Sequence, residues 1–283
     1  MNERMQWRIK HTSGYAYDQS ARASYNEARM TPLTTPEQYV LRSRVDVTPT
    51  AWSQEYRDYW GSVVTAFEVH EPHDELVVVS TSTVETSPHV EDERDPVGWP
   101  ALSGVADEFC EFLVPDAAWT RPHPSLVELL EPLRRDAATP SEYARAALAL
   151  VHERIEYLPG ATEVTTVAAD AWQEGHGVCQ DIAHIAVGAL RWAGIPARYV
   201  SGYLHPHLEP AVGEAVTAES HAWVEWWDEE WIGRDPTNDV EVTQRHILVG
   251  RGRDYADVPP LRGLYSAQGT SQLFVEVEIT RLR

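Results

Sequence analysis

A chain of 283 residues with 43% apolar content is long enough for one large or two small domains with real cores. Its net charge of −21 argues against nucleic acid and anionic membranes as partners, and no apolar run approaches the roughly 18 residues of a membrane span. Two cysteines, Cys110 and Cys179, are too few for a disulfide framework; with a start that lacks a charged-then-apolar leader, they predict a cytoplasmic protein.

Residues 1–90 read as all-β. Runs at 5–11, 38–47, 62–69 and 76–84 alternate or are dense in Val, Ser and Thr, and proline-bearing turns separate them. This regularity predicts a β-sandwich-like N-terminal domain. The polar, proline-containing stretch 86–100 reads as the connection, with the linker drawn at 91–102 and a second domain at 103–283. Helices are expected at 107–113, 125–135 and 141–155, the last capped by Thr139 or Ser141 and carrying Tyr143, Ala147, Leu150, Val151 and Ile155 on one face. Cys110, in Glu-Phe-Cys-Glu-Phe, is expected to be a core thiol. A further helix-like run, 167–172, leads towards Gly175-His176-Gly177-Val178-Cys179.

Residues 180–192 read as a helix, with Val178, Ile182, Ile185, Ala189 and Trp192 at i, i+4, i+7, i+11 and i+14. Ala183, Ala186, Val187 and Leu190 fill the other sides, so this helix should be buried. Cys179 then falls in its first turn, where unpaired N–H groups and the helix dipole favour thiolate over thiol. After Gly194 and Pro196, strands are expected at 197–204, 221–227 and 231–234, the last two joined by a turn at 228–230. His221 and Asp235 sit at the open end of that hairpin and can face one another. Thiol, imidazole and carboxylate in this order are what nucleophilic acyl chemistry requires. The backbone N–H of Cys179 is the natural first oxyanion donor, Tyr157 and Trp172 are candidates for the second, and Gln180 stands beside the nucleophile. The stretch 250–255 reads as a loop bordering the cleft, and 271–282 as a strand that closes a sheet.

The motifs Gly177-Val178-Cys179-Gln180-Asp181, Gly194-Ile195-Pro196-Ala197-Arg198-Tyr199, His221-Ala222-Trp223-Val224-Glu225 and Asp235-Pro236-Thr237-Asn238 closely resemble the transglutaminase-like superfamily. Ser24-Tyr25-Asn26-Glu27-Ala28-Arg29-Met30-Thr31-Pro32 and Asp58-Tyr59-Trp60-Gly61-Ser62 resemble the N-terminal domain of its bacterial members, many of which have Asn where Ser62 stands. The resemblance implies an α+β, papain-like core: a buried helix bearing Cys179 as nucleophile, packed on an antiparallel sheet bearing His221 as general base and acid and Asp235 as its orienter. It also implies a peptidase, amidase or small-peptide acyl transferase that needs no cofactor and acts on a peptide, protein or small amide; the oligomeric state is not readable. Asn26, Glu27 and Arg29 are expected to form a buried structural network. Two rivals stand beside this reading. One is a catalytically silent, peptide-binding scaffold on the same fold. The other is a metal site at His205-Pro206-His207 with His176 and His184, for which the usual ligand spacings are absent, so no metal is expected.

Overall fold

The computed structural model describes residues 4–88, 96–115, 117–162 and 164–283. Residues 1–3 and residues 91–95 of the expected linker lie outside the described residues. Six strands form first: β1 (Met5–Ala21), β2 (Ser24–Thr31), β3 (Gln38–Thr48), β4 (Trp52–Arg57), β5 (Val63–Val69) and β6 (His73–Thr86). β1 buries Trp7, Ile9 and His11 at alternate positions, the two-residue period of a strand with one face on a core. Met30, Phe67, Leu76 and Val78 fill the space between the two sheets. β4 shows no such period because all six of its residues are exposed at a sheet edge.

The helical region follows: α1 (Leu102–Val105), α2 (Pro124–Asp136), α3 (Pro140–Arg154), β7 (Glu156–Tyr157), α4 (Ala168–Glu174), β8 (His176–Gly177) and α5 (Cys179–Trp192). The Thr139 hydroxyl caps α3 by accepting from Glu142 N, as the sequence allowed. α5 is buried continuously from Gln180 to Arg191, and α3 packs along it, with the Tyr143 hydroxyl donating to the Ala189 carbonyl. The helix expected at 107–113 is replaced by turns and a short 3₁₀ segment. There Phe109 and Phe112 both turn towards Trp231, so Cys110, expected in the core, faces solvent.

The chain closes with β9 (Ala197–Leu204), β10 (Ala215–Ala218), β11 (Ser220–Asp228), β12 (Glu230–Asp235), β13 (Val240–Glu241), β14 (His246–Gly252), β15 (Leu261–Tyr265) and β16 (Ser271–Arg281). One antiparallel sheet, ordered β13-β12-β11-β9-β14, lies against α5. The stretch 250–255, read as a loop, begins instead as the end of β14. The remaining strands correct the boundary drawn at 103–283. β16 pairs with β1, β10 pairs with β16, and β15 pairs with β2, so all three complete the N-terminal sheets. Alternation reveals a strand and its faces but not which sheet edge it will fill.

The two halves share a core. Trp7, Ile9, Val84, Val277 and Ile279 pack with Tyr203, Ile247 and Val249 of the second sheet. Polar ties reinforce the seam: the Gln38 amide donates to the Leu248 carbonyl and its oxygen accepts from Leu248 N, both at 2.8 Å. Thr86 and Gln244 exchange a second pair of bonds. The buried network expected of Asn26, Glu27 and Arg29 forms only in part: Arg29, 4% exposed, pairs with Asp58, which also accepts from Trp60 N and Ser62 N, and with the half-buried Glu27, whereas the Asn26 amide donates to Ser24 Oγ. The Arg29–Asp58 pair ties the two N-terminal motifs together.

Candidate active site

The approach to Cys179 is set by backbone geometry. Gly175 ends α4 in the left-handed region at φ 75°, where a side chain would be strained. β8 then pairs with β7 for two residues, Glu156 with His176 and Tyr157 with Gly177, which brings Tyr157 alongside the start of α5. Asp181, in the first turn, reaches back to accept from Val178 N at 2.9 Å and from the Thr162 hydroxyl, closing the helix start from one side. The N–H groups of that first turn have no intrahelical partner, and Cys179 carries one of them.

His221 and Asp235 come from neighbouring strands, β11 and β12. Their register pairs Val224 with Arg234 and Trp227 with Trp231, so continuing it sets Asp235 across from Trp223. His221 is two residues along on the same face, a diagonal relation that an imidazole can span. Its Nε2 lies 2.7 Å from Asp235 Oδ2, and the ring is close enough to Cys179 for the sulfur to help raise the imidazole pKa. With Nε2 on the carboxylate, Nδ1 is the nitrogen left for sulfur. The thiol also lies 3.9 Å from the Ser220 carbonyl.

Asp235 is fully buried and fully supplied with donors. Oδ1 accepts from the backbone of Thr237 and Asn238, and Oδ2 from the Asn238 amide at 2.7 Å and from His246 at 3.3 Å. Burial would raise its pKa, but the bonds from His221, His246 and Asn238 outweigh this and hold the carboxyl far below its usual range. Burial would likewise lower the pKa of His221. Its bonds with Asp235 and Cys179 prevail and hold the imidazole well above 6.5. The arrangement thus sets a charged imidazole, backed by a fixed anion, beside the Cys179 sulfur.

The other sequence candidates separate. Tyr157, 42% exposed, remains at the thiol with its hydroxyl 3.5 Å from Glu219. Burial, Cys179 and Glu219 push its phenol up to about 12, so it stays a donor across the working pH range. Trp172 is not brought to the site: its indole N–H donates to Ser125 Oγ. The Gln180 side chain is likewise turned away, its amide donating to the Val164 carbonyl. His205 binds His207 N, and the His205–His207 pair does not join a cluster of ligand type. Among the described residues, the side chains of ligand type that converge are His221, Asp235 and His246. His246 Nδ1 accepts from Thr243 N at 3.0 Å, so Nε2 carries the proton that points at Asp235 and offers no lone pair to a metal. Sequence reading missed His246. The apolar triplet Ile247–Leu248–Val249 beside it was the available signal for a strand.

Residues 127–236 match the model of the transglutaminase-like superfamily, and residues 7–85 match that of the bacterial transglutaminase-like N-terminal region. The chain belongs to the transglutaminase-like superfamily. Cys179, His221 and Asp235 all fall inside the matched core, whereas Asn238 and His246 lie beyond its end. An uncharacterised protein of Mycobacterium leprae is 44% identical over 280 residues, covering 98% of this chain and 99% of that one. A protein-glutamine gamma-glutamyltransferase of Pseudomonas aeruginosa is 34% identical over 154 residues, which are 50% of this chain and 23% of that protein. Among solved structures, a Cytophaga hutchinsonii chain provisionally assigned as a cysteine protease superposes with a TM-score of 0.82 at 24% identity, covering 99% of this chain and 92% of that one. Similarity at that identity establishes the fold: a transglutaminase-like, papain-like core joined to an N-terminal sheet region.

Proposed function

We propose that this transglutaminase-like protein is a cysteine-dependent hydrolase or acyl transferase acting on amide bonds through a thioester. The observation that carries the reading is the row Cys179–His221–Asp235, with the imidazole bonded to Asp235 and electrostatically coupled to the Cys179 sulfur. The Cys179 thiolate attacks the substrate carbonyl carbon, and the developing oxyanion is met by the Cys179 N–H and the Tyr157 hydroxyl. As the tetrahedral species collapses, the C–N bond breaks and the His221 imidazolium gives its proton to the departing amine. The thioester left on sulfur is then attacked by water, or by a second amine. His221 takes a proton from that nucleophile, and the thiolate is released. Asp235, held as an anion throughout, orients the ring and stabilises its charged form.

Hydrolysis or small-peptide transfer is favoured over protein cross-linking. The uncharacterised full-length relatives add no acceptor preference, and the matched glutamyltransferase shares only part of its length with this chain. The substrate is a peptide, protein or small amide. The test is a peptide amide library presented with and without a primary amine, with products identified by mass. Shortened amides alone mean hydrolysis, and amine-bearing products mean transfer. No product in either arm, with an unmodified Cys179, favours the silent peptide-binding scaffold and overturns the proposal.

A further inference from the structure

His246 is buried completely, yet none of the catalytic steps above uses it. Its surroundings are those of a fixed donor. Thr243 N and the Thr243 hydroxyl both approach Nδ1, so the neutral ring has only one tautomer available, with hydrogen on Nε2. That hydrogen points at Asp235 Oδ2, the same oxygen that bonds His221. Trp223 packs against the ring in an edge-to-face arrangement, centroids 5.4 Å apart. The charged or titratable groups facing it are Asp235 on β12, His221 on β11 and Arg245 on its own segment. Burial keeps the ring below its ordinary pKa and so neutral, which avoids setting a second cation against the His221 imidazolium.

The position of the ring is fixed from the other half of the molecule. Gln244 is tied to Thr86, and Leu248 is tied to Gln38, so bonds to the N-terminal sheets bracket His246 on both sides.

We propose that His246 is a positioning residue: it clamps Asp235 so that the carboxylate can orient His221 alone, and the N-terminal sandwich holds the clamp in place. This rests on the thiol-enzyme reading above. Without the clamp, Oδ2 loses a donor and the carboxylate gains freedom to rotate away from His221. A small misalignment of that kind costs rate out of proportion to stability. In this account the N-terminal region is part of the frame of the active site.

The test is the rate of Cys179 carbamidomethylation by iodoacetamide from pH 5 to 9, located by peptide mass, for wild type, His246→Ala and His246→Gln, with thermal melts alongside. His246→Ala is expected to slow Cys179 labelling at pH 6 by about tenfold or more and to narrow the pH range of fast labelling. His246→Gln keeps an acceptor for Thr243 N and an N–H for Asp235, and is expected to recover most of that loss. A wild-type Cys179 that labels no faster than Cys110 overturns the underlying reading, and this inference with it. A fast wild type with His246→Ala unchanged in profile, or with both variants lowered in Tm alone, overturns the positioning role while leaving the thiol-enzyme reading intact.

Discussion

At the residue scale, the site is defined by which atoms have no choice of partner. Asp235 is surrounded by donors, so its charge is fixed; His221 can therefore hold its own proton on Nε2 and turn Nδ1 to the sulfur. Replacing the carboxylate by an amide would invert this. An Asn at 235 can present N–H to Nε2, which forces the hydrogen onto Nδ1 and removes the base from the thiol. Asp235→Asn is therefore expected to lower kcat by roughly two orders of magnitude or more, with KM within a few-fold, on whichever amide the library returns. An unchanged kcat would contradict the orienting role. Cys179→Ala is expected to abolish turnover and leave the melting curve close to wild type, because the residue is only partly buried; full activity in that variant would contradict the proposed nucleophile.

At the element scale, α5 carries the nucleophile and is held on every side. Gly188 lies where the helix meets the segment before α2, and a Cβ there would stand 1.9 Å from the Thr120 carbonyl oxygen. Gly188→Ala must push either the backbone at Thr120 or the helix itself. We expect a loss of about 1–3 kcal/mol in denaturant unfolding, and more than that if neither can yield. No loss would mean that the contact is looser than described. The seam between the halves can be tested in the same way. Gln38, 4% exposed, answers two backbone groups of Leu248, and Gln38→Ala is expected to cost about 1–3 kcal/mol by leaving Leu248 N without its acceptor, the carbonyl keeping its bond from Leu33 N. An unchanged melt would show that the tie is dispensable.

At the scale of the whole molecule, burial of neutral histidines sets a pH dependence. His11 and His184 are lowered by desolvation to about 4 and about 3. The unfolded chain therefore binds protons below about pH 6.5 that the folded chain refuses, and stability falls as pH drops from 6.5 towards 4. His221 acts in the opposite sense. Its pKa is raised in the fold, so its contribution is complete below 6.5 and is lost as pH rises through the folded value. Melting curves from pH 4.5 to 9 should therefore peak near neutrality and decline on both sides; a Tm that climbs steadily towards acid would contradict this.

The same scale explains what the sequence could and could not reveal. α5 was legible because its apolar residues recur with the helical period and Gly194 stops it. Cys179, His221 and Asp235, the residues of the proposed catalytic row, were legible as motifs on short, regular elements. β14 was not, since Gly250, Arg251 and Gly252 have the composition of a turn, and it is pairing with Ser201, Val200 and Tyr199 of β9 that makes them a strand. His246 was lost with it. The return of β15 and β16 to the N-terminal sheets was hidden for a related reason: alternation does not encode a partner. Cys110 was misplaced because two flanking phenylalanines share one tryptophan cluster and leave the residue between them facing out.

The central claim is that His221 and Asp235 activate Cys179, and the two thiols of this chain allow it to be measured directly. Cys110 is exposed and Cys179 only partly so, which means that accessibility alone would make Cys110 the faster to react. The decisive measurement is the ratio of their carbamidomethylation rates with iodoacetamide at pH 6, with His221→Ala as the comparison. The account predicts that Cys179 reacts at least about tenfold faster in the wild type and loses that lead in His221→Ala. Cys110 reacting first in the wild type, or a Cys179 lead that survives the loss of the imidazole, would contradict it.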